Sequence, residues 1–401
     1  MYWILAILGL FAWLATNRHG WDVDVYRRAV HSFEQGHDPY QEEVAGTGDY
    51  SRNVSAEYGG GGSLYYVYSP VTLQMGAWIH NFRIFKALYW LLYAASVLVI
   101  VLVASSAVTS ADTRYLAAVP PASLFFPGLL ANGTIISGNV AITLYGLVFA
   151  TAALGWRRRQ WIPFYAVVIF CSLFKMPMLA LLAIAVFSAP KQWIPAGAAA
   201  AMALSIFSLQ SVLYPAMFRH QLLAVDHLFS FDRDVGCSPA GIFAGLLFDH
   251  GIPYFPLATL FFLAYALPVA AVLYRGSQRF FAGEFPLTEW MPVLLIGAVL
   301  LNPRIQEYDV LPITIPLALI AFRSAQRSSR ANIAALILIS LWLGANSYIS
   351  GGTGTLRWKQ IECVLLCAIF IAGVTGLRRR AHASTGDLPS PDQAATVQSS
   401  V

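Results

Sequence analysis

An all-α, polytopic integral membrane protein is the fold class this sequence predicts, and three observations predict it. Only 11% of the 401 residues are charged, against about 25% in ordinary soluble domains. Hydrophobic residues make up 58% of the chain, and the mean hydropathy is +0.61. The apolar residues fall in runs, among them 2–16, 87–108, 196–212, 257–274, 333–346 and 361–377. A helix needs about 20 residues to cross a hydrocarbon core, and shorter runs cross when flanking residues snorkel or neighbours shield them.

Run lengths measured against bilayer thickness predict about eleven to thirteen membrane segments. The opening run lacks a cationic start and a small-residue cleavage site, so it reads as a retained first helix. Between 116 and 154, prolines, glycines and asparagines rule out one straight helix. A broken or re-entrant pair followed by a full span fits better. The stretch 161–189 reads as two short helices meeting near Lys175, Met176 and Pro177 on the outer side. Backbone that leaves the helix at membrane depth survives only where protein or a wet cavity satisfies it, so these breaks mark a cavity. Residues 1–380 form one transmembrane domain with an outer loop at 17–63. Residues 381–401, rich in Ser, Thr, Ala, Pro and Gln, read as a disordered cytoplasmic tail.

The formal charge is +5, yet the cations punctuate the hydrophobic runs rather than forming a basic patch, which argues against a nucleic-acid partner. Arg157 to Arg159, Lys191, Arg275, Arg279, Arg323, Arg327, Arg330 and Arg378 to Arg380 read as cytoplasmic, and Arg83 and Lys86 are grouped with them. The segments 17–63, 213–239 and 301–309 then face the opposite compartment. The chain is a multi-pass protein of the cell membrane with its chemistry on the extracytoplasmic side. Four cysteines lack the spacing of a metal or disulfide framework. No P-loop, dinucleotide fingerprint or HExxH is present, so no cofactor and no metal is expected.

The polar residues concentrate in the outer segments. Asp22, Tyr26, Ala29 and Phe33 recur at helical spacing and predict an interfacial helix. Asp22 at its start is favoured by the helix dipole, or it is a general base at the membrane–water boundary; Asp24 is the second candidate. Tyr40 follows in a Gly-His-Asp-Pro-Tyr turn. Tyr65, Tyr66 and Tyr68 form an aromatic belt or a sugar-stacking surface. Asn139 caps a half-helix or binds a ligand. Lys175, beside a proline in an apolar stretch, is a functional candidate or snorkels to the headgroups. Asn302 to Asp309 is densely polar for a tight turn. Arg304 there has the planar fork that grips phosphate, with Glu307 and Asp309 beside it; the alternative is a salt-bridged corner.

Five stretches carry a resemblance: WDVDVYRRAVHSFEQGHDPY, YVYSP, SGNVAITLYGLVFATA, FKMPMLALLAI and NPRIQEYD. In this order, from residue 21 to about 310, they resemble glycosyltransferase family 87 of the GT-C superfamily, which includes mannosyltransferases that extend phosphatidylinositol mannosides. The resemblance implies a GT-C-like helical bundle and transfer of a sugar, mannose in the closest chemistry, from a polyprenyl-phosphate donor to a lipid or glycan acceptor. It implies inversion and a catalytic aspartate at the position of Asp22. Asn139 stands where many relatives have Gln, and Arg304, Gln306 and Glu307 stand where relatives often place a His. Substrate contacts are expected at Tyr26, Tyr40, Tyr68, Asn139, Lys175, Arg304, Glu307 and Asp309. A transporter or flippase of lipid-linked sugars would instead line a route through the bilayer with polar groups. A non-catalytic assembly subunit would not need Asp22.

Overall fold

A computed structural model describes residues 21–40, 66–78, 82–109, 138–230, 236–252, 254–325 and 356–386. The runs at 2–16 and 333–346, and most of the outer loop at 41–63, lie outside the described residues, as does the broken pair expected upstream of residue 138. Among the described residues the secondary structure is entirely helical.

In chain order the helices are α1 (Trp21–Glu34), α2 (Pro70–Ala77), α3 (Phe82–Ser105), α4 (Val140–Arg158), α5 (Ile162–Phe174), α6 (Leu182–Ser188), α7 (Trp193–Leu213), α8 (Pro215–Ser230), α9 (Pro239–Asp249), α10 (Tyr254–Phe281), α11 (Leu287–Leu300), α12 (Glu307–Val310), α13 (Thr314–Ala325) and α14 (Leu356–Gly386). Short 3₁₀ turns, Met176–Leu181 and Leu311–Ile313, lead into α6 and α13. Among the described residues, four helices are long and apolar enough to cross a membrane: Ile84–Ser105, Val140–Arg158, Trp193–Leu213 and Pro256–Phe281. On α7 and α10, large apolar side chains such as Ile194, Val212, Leu260 and Leu267 stand fully in the open. So much exposed apolar surface is tolerable only against lipid.

α4 is the hub. α3 packs along it, α5 on another side, and α7 lies against α5. The α3–α4 approach is close because position 146 has no side chain: a Cβ on Gly146 would run into the backbone of Ser96. Small residues at a crossing are how membrane helices gain dispersion contact without a hydrophobic drive.

Both ends of the bundle are well defined. At one end the Trp156 indole donates to Ser188 Oγ at 2.8 Å, and Trp290 donates to the Phe187 carbonyl at 2.9 Å. There too the Arg323 guanidinium holds the carbonyls of Ala107 and Thr288, at 2.8 and 3.3 Å. Arg157 to Arg159, Lys191, Arg279 and Arg323 all gather at this end. The cations thus share one face, as the loop counts require. Arg83 and Lys86 are the exception and correct the sequence reading. They start α3 at the far end, because α2, at eight residues, rises only about 12 Å and does not carry the chain across.

Three of the inner helices, α5, Met176–Ser188 and α11, are shorter than a full span. α5 and the segment Met176–Ser188 are apolar helices of fewer than 18 residues; 13 residues rise about 20 Å. They form a hairpin whose tip is Lys175, as the sequence indicates, and the Lys175 side chain is buried within the bundle. α11 and α12–α13 form a second hairpin whose turn is residues 301–306. α14 runs through Gly386, so residues 381–386 continue the helix where composition predicts a disordered tail.

Candidate functional site

α1 begins the site. Its inner face, Val23, Tyr26, Ala29 and Ser32, is buried, so the amphipathic helix packs into the bundle instead of floating on the leaflet. Asp22 and Asp24 both lie in its first turn, where the helix dipole favours negative charge. They diverge because two residues turn a helix by about 200°. Asp24 is 52% exposed and pairs loosely with Arg27 at 3.9 Å. Asp22 turns inward, where its Oδ2 accepts from Asn139 Nδ2 at 3.1 Å.

Asn139 has two jobs at once. Its Oδ1 accepts from the Ala141 backbone N–H at 2.9 Å, the geometry of a helix N-cap. Tyr26 Oη accepts the neighbouring Val140 N–H at 3.1 Å. Two orphan donors of α4 are therefore met by side chains, and one of these side chains also holds Asp22. The cap needs a left-handed residue before it, and Gly138 supplies φ +69. The Tyr89 hydroxyl donates to the Gly138 carbonyl. The Asp22 carboxylate thus sits between the N-termini of α1 and α4.

The tyrosines pack on one another. Tyr26 and Tyr68 hydroxyls are 3.0 Å apart, with rings edge-to-face at 5.3 Å. Tyr40 Oη donates to the Tyr68 carbonyl at 2.5 Å, and Tyr66 lies against both Tyr40 and Tyr68. All four rings are buried. These four present no open face to a sugar, unlike the stacking alternative, and Tyr26 serves the start of α4 beside Asn139; Tyr65 lies outside the described residues. Burial pushes the Tyr68 hydroxyl pKa well up, Asp22 pushes it further, and the Arg304 charge opposes the rise. Tyr68 is therefore within electrostatic reach of both Asp22 and Arg304.

Arg304 sits in the turn between α11 and α12, half-buried. The turn is shaped by Asn302, whose Oδ1 accepts the Arg304 N–H at 2.9 Å. Ser238 donates to the Pro303 carbonyl, and the Cys237 N–H to the Ile305 carbonyl at 2.6 Å. Asp309, the third residue of α12, returns its Oδ2 to the Gln306 N–H at 2.9 Å, half of a capping box. Its Oδ1 accepts from Lys175 Nζ at 3.2 Å and from the Tyr145 hydroxyl at 3.1 Å. The Lys175 ammonium also lies 3.8 Å from the centre of the Tyr308 ring. Lys175 is 10% exposed and Asp309 1%, so this lysine does not snorkel; it is a buried ion pair joining the two hairpin tips. Tyr145 lies six residues beyond Asn139, about 9 Å deeper along α4. Of Glu307 only the backbone is described.

The structure thus unites Asp22, Tyr26, Tyr68 and Asn139, while Arg304 sits in the α11–α12 turn, where Tyr68 feels its charge. Lys175 and Asp309 form a second centre beneath them. Asp38 and His220 are the pair that sequence reasoning misses: His220 Nδ1 and Asp38 Oδ2 are 2.5 Å apart, joining the stretch after α1 to α8. Nothing local foretells a contact between residues 182 positions apart. Tyr89 and Tyr145 are missed as well, and hydroxyls inside apolar runs are the signal that marks them. The chain matches no protein-family profile and no curated protein.

Proposed function

We propose that this membrane protein is a GT-C-type glycosyltransferase that moves a sugar, mannose first among candidates, from a polyprenyl-phosphate donor to a lipid or glycan hydroxyl. Asp22 is the general base. The observation that carries the reading is the pairing of an inward, part-buried carboxylate with a capping asparagine at 3.1 Å. The ordered sequence resemblance supports it independently.

In the step, the acceptor hydroxyl oxygen bonds to the anomeric carbon from the face opposite the phosphate. Its proton passes to an Asp22 oxygen, and the bond from the anomeric carbon to the phosphate oxygen breaks. The electron pair leaves with the polyprenyl phosphate, which needs no acid, so one carboxylate suffices and the configuration inverts. Asn139 fixes the Asp22 rotamer, as preorganised catalytic groups require. Arg304 offers two parallel N–H donors to the donor phosphate. Lys175, neutralised by Asp309, is a weaker partner for phosphate, and Asp309 already accepts from three donor groups, Lys175, Tyr145 and the Gln306 N–H. The reaction side is extracytoplasmic, because the arginine-rich face lies at the opposite end.

The test is incubation of the purified, reconstituted protein with polyprenyl-phosphate mannose and a panel of acceptor lipids, read by mass spectrometry. A glycosylated acceptor is the expected product. An intact donor moved across the vesicle membrane with no product would overturn the enzyme reading in favour of transport.

A further inference from the structure

The turn that carries Arg304 takes its rigidity from elsewhere in the chain. Residues 301–306 lie between α11 and α12 and form no helix, the kind of backbone that opens first unless something outside holds it. Its carbonyls are held from outside. The Tyr265 hydroxyl of α10 donates to Asn302 at 3.4 Å, the Ser238 hydroxyl to Pro303, and the Cys237 N–H to Ile305 at 2.6 Å. The Arg304 N–H is held as well, by Asn302 Oδ1 at 2.9 Å. The stretch 236–238 thus runs beside the turn in the opposite direction, Cys237 facing Ile305 and Ser238 facing Pro303.

Gly236 shows how closely the two stretches are pressed together. Its φ is +77, and a Cβ there would strike the Ile305 carbonyl oxygen, so only glycine fits. Ser238 is fully buried and uses its hydroxyl twice, donating to Pro303 and accepting the Gly241 N–H at 2.9 Å as the N-cap of α9. One side chain therefore couples the start of α9 to the turn. The Arg304 side chain is half-buried, leaves a backbone fixed on both sides, and its charge reaches Tyr68. A guanidinium grips phosphate through two parallel N–H donors, which requires it to be placed within about 0.5 Å beforehand.

We propose that Ser238 is a positioning residue for anion binding: with the backbone of Gly236 and Cys237 it clamps the 302–305 turn and holds Arg304 ready for the donor phosphate. The inference rests on the reading of Arg304 as the phosphate grip and deepens it; sugar transfer itself is not required. A free turn would give up conformational entropy each time phosphate bound. The clamp removes that loss before the ligand arrives. Ser238 acts through Arg304 and touches no substrate.

The experiment is scintillation-proximity binding of radiolabelled farnesyl phosphate to the full chain in nonionic micelles, with farnesol as the same tail without the phosphate. The parent should bind the phosphate, and Ser238→Ala should weaken binding about tenfold, the worth of one hydrogen bond. Ser238→Thr keeps the hydroxyl and should restore most of it. In an Arg304→Ala background Ser238→Ala should cost nothing further, because the clamp then has nothing to position. Ser238→Ala also loses the cap of α9, so Tyr265→Phe is its companion. That variant gives up one long hydrogen bond, should unfold at the parental temperature, and should weaken binding about threefold. Farnesol should bind alike to all. In the transfer assay Ser238→Ala should raise KM for the donor and leave KM for the acceptor unchanged. Equal phosphate binding by parent, Ser238→Ala and Tyr265→Phe overturns the proposal. So does the same loss with Arg304 present and absent, or a parent that does not bind farnesyl phosphate. Binding that follows the clamp while no sugar transfer is found removes the glycosyltransferase reading and leaves the clamp standing.

Discussion

Lys175 Nζ lies 3.2 Å from Asp309 Oδ1, and this contact joins the tips of two helical hairpins, the first of which has two arms of only 13 residues each. The carboxylate is completed by the Tyr145 hydroxyl and the Gln306 N–H, and the ammonium by the Tyr308 ring. Coulomb attraction at such depth only offsets desolvation, but removing one partner strands the other. Lys175→Met or Asp309→Leu alone should therefore cost about 3–5 kcal/mol of stability. The double variant should recover most of it, and thermal unfolding in detergent gives the coupling energy of the cycle. Additive losses would show the two charges to be independent.

Asp22→Asn keeps the size of the side chain and can still meet the Asn139 amide through its carbonyl. The protein should express and unfold as the parent does. Turnover should fall by about 10²–10⁴-fold, the usual worth of a general base. Asp24→Asn, at an exposed pair, should change turnover by less than about twofold. Parental turnover in the Asp22 variant would leave that carboxylate a structural tie between α1 and α4.

Arg304→Ala should raise KM for the polyprenyl-phosphate donor by about 30-fold or more, from the loss of a charge partner. Arg304→Lys should restore only part, because an ammonium cannot make the parallel pair. An unchanged donor KM in both variants, measured by initial rates, sinks the assignment of Arg304 to phosphate.

The buried tyrosines make the fold sensitive to alkali. Tyr26, Tyr40, Tyr66 and Tyr68 are all pushed well above the ordinary value of 10.0, chiefly by burial. Below pH 10 folded and unfolded chains alike keep these protons. Above it the unfolded chain releases them while the folded one retains them, so stability falls as pH rises. Unfolding temperatures measured at pH 8 and pH 11 should show the loss, and Tyr40→Phe should reduce it.

Orientation is open to direct labelling. Asp24→Cys, on the exposed side of α1, should react with an impermeant maleimide from outside intact cells, and Arg159→Cys should not. α4, at 19 residues, separates the two ends by about 28 Å. The reverse pattern would put Asp22 and Arg304 in the cytoplasm.

Periodicity and run length made the helices legible, and the prolines near Lys175 made the first hairpin legible. The cationic face was legible except for Arg83 and Lys86, which were grouped with the other cations by charge, whereas the eight-residue α2 leaves them at the opposite end. Asp22 was legible by its position before a helical repeat. Its partner Asn139 was legible as a cap, but not as a tie to α1, because pairing 117 residues apart is a property of the packed bundle. The same holds for His220 with Asp38. The tyrosines were legible as a cluster, but neither a belt nor a stacking surface anticipates four buried rings, since composition cannot tell rings that face outward from rings that face each other.

The Lys175–Asp309 contact also bears on biogenesis. Its partners are 134 residues apart in the chain, so during synthesis the first hairpin enters the membrane long before its counter-charge exists. Until then Lys175 has to be sheltered by water or lipid headgroups, which a hairpin of about 20 Å permits by riding close to the membrane surface. Arrival of the second hairpin lets both tips settle to their final depth together. A chain truncated after α10 would be stranded in that earlier state, a natural target for membrane quality control.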